Sequence, residues 1–152
     1  MTEHNFQVVK IATEETYALR IAVLRADTPT SDPKYAEDSH QGTVHFGIFD
    51  HNKVLIATST WVIKPWQDDP PAKAIQLRGM AVATQHQKSG LGKMLLDKGI
   101  KHAKTHDAKY VWAKARDSAL DFYLRNKFAS VGDGFTEGVT QMPHHLVVRP
   151  VF

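Results

Sequence analysis

The hydrophobic pattern of the chain changes its period within a few residues between Ala74 and Thr105. Residues 74–82 read as a strand, whereas from Gly90 to about Thr105 the apolar residues recur at helical spacing. The apolar positions of this helix share one face, and they are Leu91, Leu95, Leu96, Gly99, Ile100 and Ala103. A strand and an amphipathic helix joined by a short turn must each bury one side, so this segment predicts an α/β fold.

The rest of the chain fits the same class. Further strands are predicted at 6–11, 44–49, 54–62 and 110–115, with two more after residue 128, and further helices at 13–25 and 119–126. The order β-α-β-β-β-α-β-α-β-β predicts an α/β sandwich with a mixed sheet, in a single domain over residues 1–152. Residues 27–42 read as a loop that is long for a compact domain, and such loops are often functional.

Composition excludes several classes of protein. The chain contains no cysteine, which excludes disulfides, thiolate metal sites and a cysteine nucleophile. No apolar run approaches the ~20 residues that span a bilayer, and charged residues within the first 25 positions exclude a signal peptide. We therefore expect a cytoplasmic protein with no membrane partner. The nine histidines show no convincing ligand spacing apart from the adjacent His144 and His145, so no metal is expected.

The formal net charge is +3, and positive charge is concentrated between His86 and Arg116. Seven lysines lie in that stretch against Asp97 and Asp107, and most of them fit a solvated helix face. The distribution favours a phosphorylated small ligand over nucleic acid, because no recognition-helix motif accompanies it.

The turn from Gln87 to Lys93 has the properties of a phosphate-binding loop. The first N–H groups of a helix lack intrahelical partners and carry the positive end of its dipole. Glycine at positions 90 and 92 removes Cβ, so that backbone N–H groups can approach a pyrophosphate closely. A P-loop is excluded, because Gln87 stands where its first glycine belongs and Met94 where Ser or Thr belongs.

Two stretches resemble the GCN5-related N-acetyltransferase (GNAT) family. Gln87-Lys88-Ser89-Gly90-Leu91-Gly92 matches the family's pyrophosphate loop, Gln/Arg-x-x-Gly-x-Gly/Ala, directly after a strand. The segment from Trp112 to Phe128 resembles the family's fifth strand and the helix that follows it, with the pattern Asn-x-x-Ala-x-x-Phe-Tyr. The resemblance covers residues 75–128 well and the remainder through the order of strands.

The resemblance implies a mixed, mostly antiparallel sheet flanked by helices and splayed between strands 4 and 5. It also implies acetyl-CoA as acyl donor, with its pantetheine arm on Met80, Ala81 and Val82 and beside Asp117 and Ala119. The implied pyrophosphate contacts are Gln87, Lys88, Ser89, Gly90, Leu91, Gly92 and Lys93. A neutral amine would attack the thioester directly, a strand-4 N–H near Val82 would meet the oxyanion, and Tyr123 would protonate the leaving thiolate.

The acceptor and the general base stay open at this point. Candidate side chains for the acceptor site or the base are Glu37, Asp38, His40, His45, His144 and His145. Arg78 and Arg116 would either reach an acidic group on the acceptor or form structural ion pairs.

The leading hypothesis is an N-acetyltransferase for a small or amino-acid-like amine. The alternatives are a protein N-terminal or lysine acetyltransferase and a CoA-binding module without turnover. Family members often form homodimers, and the sequence leaves the oligomeric state open.

The sequence departs from the family pattern at three positions. Asp117 replaces the common Asn, Thr84 stands where proline is frequent, and Lys127 stands where glycine usually precedes Phe128. These departures leave the preference for an acyl chain and the catalytic rate open.

Overall fold

A computed structural model describes residues 5–152, and its centre is a seven-stranded sheet of order β1-β2-β3-β4-β5-β7-β6. Only the β4–β5 pair is parallel among the strand pairs of this sheet, so the sheet is mixed and mostly antiparallel, as predicted. The strands are β1 Val9–Ile11, β2 Val44–Phe49, β3 Leu55–Ile63, β4 Ala74–Val82, β5 Tyr110–Arg116, β6 Ala129–Thr136 and β7 Pro143–Pro150.

The helices follow the predicted order, but the first is irregular. The predicted helix at 13–25 is a 3₁₀ turn at Thr13–Thr16, a short α-helix α1 at Tyr17–Leu19 and a π-helical turn at Arg20–Leu24. The longer helix α2 spans Leu91–Thr105, and α3 spans Leu120–Arg125. Hydrophobic spacing alone does not separate these helix types, since all of them return to one face after about a turn. Within residues 5–152 no helix is long and apolar enough to cross a membrane.

The two faces of the sheet have different roles. On one face Trp61 of β3 packs so closely on α2 that a Cβ at Gly99 would lie 1.8 Å from its ring, so the helix requires glycine there. Because side chains alternate along a strand, Thr60 points to the opposite face. There its hydroxyl accepts a hydrogen bond from Arg20, at 2.8 Å, so the first helical segment covers this second face.

The sheet opens between β4 and β5, as the resemblance implied. The two strands pair at Ala74, Ile75 and Gln76 only, although β4 continues to Val82. On its other side β4 carries a β-bulge, because Gly79 and Met80 together face one residue of β3. Gly79 has φ of +59°, and a Cβ there would lie 3.0 Å from the Tyr35 ring, so this bulge needs glycine. The second half of β4 thus bends away from β5 with a free edge.

The imidazole of His102, on α2, makes the stability of the protein sensitive to pH. Burial and, after it, the charges of His106, Lys10 and Lys73 lower the pKa of His102 from 6.5 to about 4. The unfolded chain therefore binds a proton between these values that the folded chain does not, and the free energy of unfolding should fall as pH falls from about 6.5 to 4. Urea unfolding at pH 7 and pH 5 should show a larger loss for the wild type than for His102→Leu, and equal losses would contradict the prediction.

Candidate active site

A cleft of about 1060 Å³ lies where β4 and β5 separate. Its walls come from the free half of β4, the end of β5, the start of α2, the helix α3 and the loop before β2. The segment from Glu137 to His144 closes a further side. Clefts at such a strand opening are common ligand sites, because the separated strands expose backbone groups that the sheet does not use.

The start of α2 presents backbone donors to the cleft. Gly90 caps the helix with φ of +89°, and its Cβ position is open, with no atom of residues 5–152 within 4 Å. The first N–H to bond back along the helix is that of Met94, to the Gly90 carbonyl at 3.2 Å, so the preceding N–H groups of α2 have no intrahelical partner. The position of Gly92 is not open in this way. A Cβ there would lie 3.3 Å from the Phe122 ring, so glycine allows α2 to pack closely on that ring.

The predicted pyrophosphate loop lies at this start of α2, and all but one of its residues line the cleft. The residues that line the cleft are Gln87, Lys88, Gly90, Leu91, Gly92 and Lys93, whereas Ser89 does not line it, and its hydroxyl donates to the carbonyl of His86. Lys93 also forms an exposed ion pair with Asp97, at 2.8 Å. The unpaired N–H groups, the open glycine and the lysines together suit a diphosphate.

The free edge of β4 is the second feature of the cleft. Met80, Ala81 and Val82 line it, and beyond Gln76 no strand of the described part of the chain pairs with their edge on the β5 side. Such an edge can accept an extended, amide-containing ligand by β-type hydrogen bonds. The side chain of Gln87 donates to the Val82 carbonyl at 3.1 Å, so one acceptor of this edge is already engaged.

Tyr123 of α3 also lines the cleft, although it is only 7 % exposed. Its ring packs edge-on against Phe122 and Phe128, with centroids 5.3 and 5.2 Å away. Burial raises the pKa of the Tyr123 phenol above its usual range. The hydroxyl is therefore a proton donor that stays protonated at any ordinary pH.

The two residues predicted beside the ligand arm are placed differently. Ala119 lines the cleft, whereas Asp117 is exposed and does not. One carboxylate oxygen of Asp117 lies 2.7 Å from Nδ1 of His145 on β7, which ties the end of β5 to that strand. This contact also engages His145, one of the candidate bases.

Among the predicted acceptor residues, Arg78 and Arg116 line the cleft, and Asp38, His40 and His45 do not. Arg78 forms an ion pair with Glu37, at 2.9 Å, and the same carboxylate oxygen also pairs with Lys64 at 3.2 Å.

Asp38 and His45 lie in a buried polar cluster on the sheet face opposite α2. The carboxylate of Asp38 accepts two hydrogen bonds from Arg20, at 2.8 and 2.9 Å, and the ring of His45 bonds Thr13 and Thr60. Burial favours a higher pKa for Asp38, yet the hydrogen bonds from Arg20 and from a backbone N–H outweigh it and lower the pKa. Burial lowers the pKa of His45. His40 is exposed on the loop before β2 and belongs neither to this cluster nor to the cleft lining.

Sequence reasoning missed many residues of the cleft, and the ones that matter most for its charge are Arg25, Tyr35 and Glu137. The carboxylate of Glu137 accepts hydrogen bonds from the N–H groups of Val139 and Thr140, which shapes the turn before β7. One sequence signal could have pointed to Arg25. No acidic residue stands three or four positions from it, so the first helix itself offers it no ion-pair partner.

His144 lines the cleft and belongs to the set of candidate bases. Its Nδ1 lies 2.8 Å from the Met142 carbonyl, which can only accept, so Nδ1 carries the proton. In the neutral ring Nε2 then bears a lone pair, and among residues 5–152 it has no hydrogen-bond partner.

Comparison with known proteins agrees with this geometry. Residues 8–128 match the model of the acetyltransferase (GNAT) family. The chain is 29 % identical over 147 residues to YitI of Bacillus subtilis (strain 168), an uncharacterised N-acetyltransferase, with 93 % of each chain covered. Among solved structures it is similar to Escherichia coli ElaA (TM-score 0.75, 18 % identity, 97 % and 99 % of the two chains). It is also similar to FeeM, an N-acyl amino acid synthase from uncultured soil microbes (TM-score 0.77, 15 % identity, 98 % and 92 %). The match over most of the chain, joined to the splayed sheet and the helix-start loop, shows that this protein belongs to the acetyltransferase (GNAT) family and is an acyltransferase.

Proposed function

We propose that this protein transfers the acetyl group of acetyl-CoA to the primary amine of a small or amino-acid-like molecule. The observation that carries the proposal is the continuity of three features in one cleft. A free strand edge at Met80–Val82 leads into the donor-rich start of α2, and Tyr123 faces the same space. An elongated thioester with a diphosphate at one end fits that sequence of groups.

The donor contacts follow from this placement. The N–H groups of the Gly90–Lys93 turn would bind the pyrophosphate, and Lys88 would add positive charge. Met80 and Ala81 would hold the pantetheine amides along the free edge. Since Ser89 and Asp117 do not line the cleft, we assign them to support of the loop and of β7.

The bound donor supplies an activated acyl group, because a thioester has a good leaving group. The amine nitrogen forms a bond to the carbonyl carbon while the C–S bond breaks. A backbone N–H of β4 near Val82 would stabilise the negative charge that develops on the carbonyl oxygen. The hydroxyl of Tyr123 would give its proton to the sulfur, whose own basicity rises when it leaves into a site shielded from water.

The proton lost by the amine needs an acceptor, and His144 suits that role better than the other candidates. It lines the cleft and its Nε2 lone pair is free, whereas His145 is held by Asp117 and His45 by two threonines. A histidine can accept a proton near neutral pH, which matches the need to deprotonate an ammonium group.

A small acceptor is favoured over a peptide by the loop before β2. Thr30, Asp32, Lys34 and Tyr35 of this loop form a wall of the cleft, so that less open groove remains for an extended chain. The structural neighbour FeeM is an N-acyl amino acid synthase, which is in line with an amino-acid-like acceptor.

The binding half of the proposal is tested by calorimetric titration of acetyl-CoA into the wild type and Gly90→Asp. The added side chain has room, and the φ of +89° should strain it by only about 1 to 2 kcal/mol, because Asp is among the few residues that adopt a left-handed conformation; folding should therefore survive, while the added charge would face the pyrophosphate. We expect binding at least about 100-fold weaker in the variant. The matched control is Asn52→Asp, which adds the same charge on an exposed turn outside the cleft and should bind as the wild type does. A folded wild type that does not bind acetyl-CoA, or equal affinities for all three proteins, would overturn the assignment.

A further inference from the structure

Arginines gather around the ring of Tyr35, which lines the cleft, and two of them have a carboxylate partner within the protein. The guanidinium carbons of Arg20 and Arg78 lie 4.4 and 4.5 Å from the ring centroid. Arg20 is paired with Asp38 at 2.8 Å, and Arg78 with Glu37 at 2.9 Å. Each of these two cations therefore already has a carboxylate partner, although Arg78 shares Glu37 with Lys64.

Arg25 and Arg116 differ from them. Arg25 lies 5.5 Å from the same ring and is only 7 % exposed. Neither Arg25 nor Arg116 forms an ion pair with any carboxylate of residues 5–152. Both line the cleft.

Most of their N–H donors remain available. The Arg25 guanidinium donates from Nε to the Asp32 carbonyl at 2.8 Å and makes a long contact of 3.5 Å from Nη1 to the Leu24 carbonyl. Arg116 donates from Nη2 to that same Leu24 carbonyl. A guanidinium has five donors, so these carbonyls satisfy a minority of them. The shared carbonyl also holds the two cations next to each other.

Two neighbouring cations of this kind are costly without a counter-ion, because burial removes the water that would screen them. Burial and, after it, the charge of Arg25 lower the pKa of Arg116, and the smaller opposing effects of Tyr35 and of the Glu137 carboxylate in the same cleft do not cancel them. An anion between the two groups would recover much of that cost through charge-assisted hydrogen bonds. The pair thus has the properties of an anion subsite.

This subsite is separate from the pyrophosphate loop. Arg116 reaches Leu24, at the end of the first helical segment, which covers the sheet face opposite α2. The pyrophosphate loop begins α2 itself. An anion held by Arg116 therefore belongs to the acceptor rather than to the diphosphate of the donor.

We propose that Arg25 and Arg116 bind the carboxylate of the acceptor, so that the substrates are amines that also carry a carboxylate, such as amino acids. The inference rests on the proposed function, since it assigns the second substrate of the same reaction. A planar guanidinium fork binds the two oxygens of a carboxylate through paired hydrogen bonds, and it binds a phosphate in the same way, so the test includes both anions.

The test compares amino acids with their carboxamides as acceptors, and includes phosphoethanolamine as a phosphorylated amine. Transfer is followed with a thiol reagent that detects released CoA, which is clean here because the chain contains no cysteine. We expect the wild type to prefer the acid over the amide. In Arg116→Gln and in Arg25→Gln, kcat/KM should fall about 10- to 100-fold for the acid and change little for the amide. The acid-to-amide ratio is measured within one preparation, so a partly folded variant does not distort it.

Arg149→Gln is the matched control, since Arg149 is a partly buried arginine outside the cleft that donates to the Asn126 carbonyl. It should leave the acid-to-amide ratio unchanged. The inference is overturned if the wild type accepts amides as well as acids, if Arg116→Gln keeps the wild-type ratio, or if phosphoethanolamine is the better acceptor. Failure of every amino acid to react, while acetyl-CoA still binds, also rejects it. Failure of acetyl-CoA itself to bind would instead reject the proposed function.

Discussion

Tyr123→Phe should lower kcat by about 100- to 10,000-fold while leaving the affinity for acetyl-CoA unchanged. The substitution removes one hydroxyl and keeps the ring that packs on Phe122 and Phe128. Binding of the donor depends on the loop and on β4, whereas departure of the thiolate depends on a proton. Because burial raises the pKa of the Tyr123 phenol, the wild-type enzyme should not lose activity at mildly alkaline pH through this group.

The measurement is kcat from initial rates, together with a calorimetric Kd for acetyl-CoA on the same preparations. Tyr110→Phe is the matched control, because its hydroxyl donates to Asp69 at 3.0 Å, outside the cleft, and it should keep the wild-type kcat. An unchanged kcat in Tyr123→Phe would show that another group, or water, protonates the sulfur. If neither protein turns over any amine although acetyl-CoA binds, the chain is a CoA-binding module without catalysis.

The features that could be predicted from the sequence are those that depend on near neighbours. β4, the turn and α2 follow from a change of period and from the glycine at position 90, which is the residue that most easily adopts the left-handed conformation of this helix cap. The splay between β4 and β5 followed only from the family resemblance, because strand pairing is not a local property. The structure also explains why the family usually has glycine at the position that Lys127 occupies here. Lys127 adopts φ of +74° after α3, a left-handed conformation that glycine adopts without strain.

The acceptor side could not be predicted to the same extent, because its contacts join residues far apart in sequence. Asp38 and His45 read as acceptor or base candidates, yet Arg20 and Thr60 engage them, from 18 and 15 positions away. Arg25 was missed for the opposite reason, since its importance lies in having no carboxylate partner among the residues that the structure describes. A list of polar residues in a loop does not separate the side chains that the fold has already satisfied from those it leaves available.

Removing the carboxylate of Asp38 should strongly destabilise the folded protein. Arg20 is fully buried, with 0 % of its side chain exposed, and Asp38 is 7 % exposed. Asp38→Ala would leave a buried guanidinium with two neutral partners, the Pro33 carbonyl and the Thr60 hydroxyl, and would release the N–H of Tyr35 that Asp38 also binds. Breaking a buried pair in this way costs about 3 to 5 kcal/mol of unfolding free energy.

Urea unfolding of wild type, Asp38→Ala and Asp97→Asn at pH 7 measures this effect. Asp97 forms an exposed pair with Lys93, and its substitution should change the free energy of unfolding by no more than about 1 kcal/mol. The double variant Arg20→Met/Asp38→Leu should be more stable than Asp38→Ala, because no unpaired charge would remain in the interior. A loss in Asp38→Ala as small as that in Asp97→Asn would mean that water reaches Arg20. The loop that carries Tyr35 and walls the acceptor side would then be held by its other contacts, and not by this ion pair.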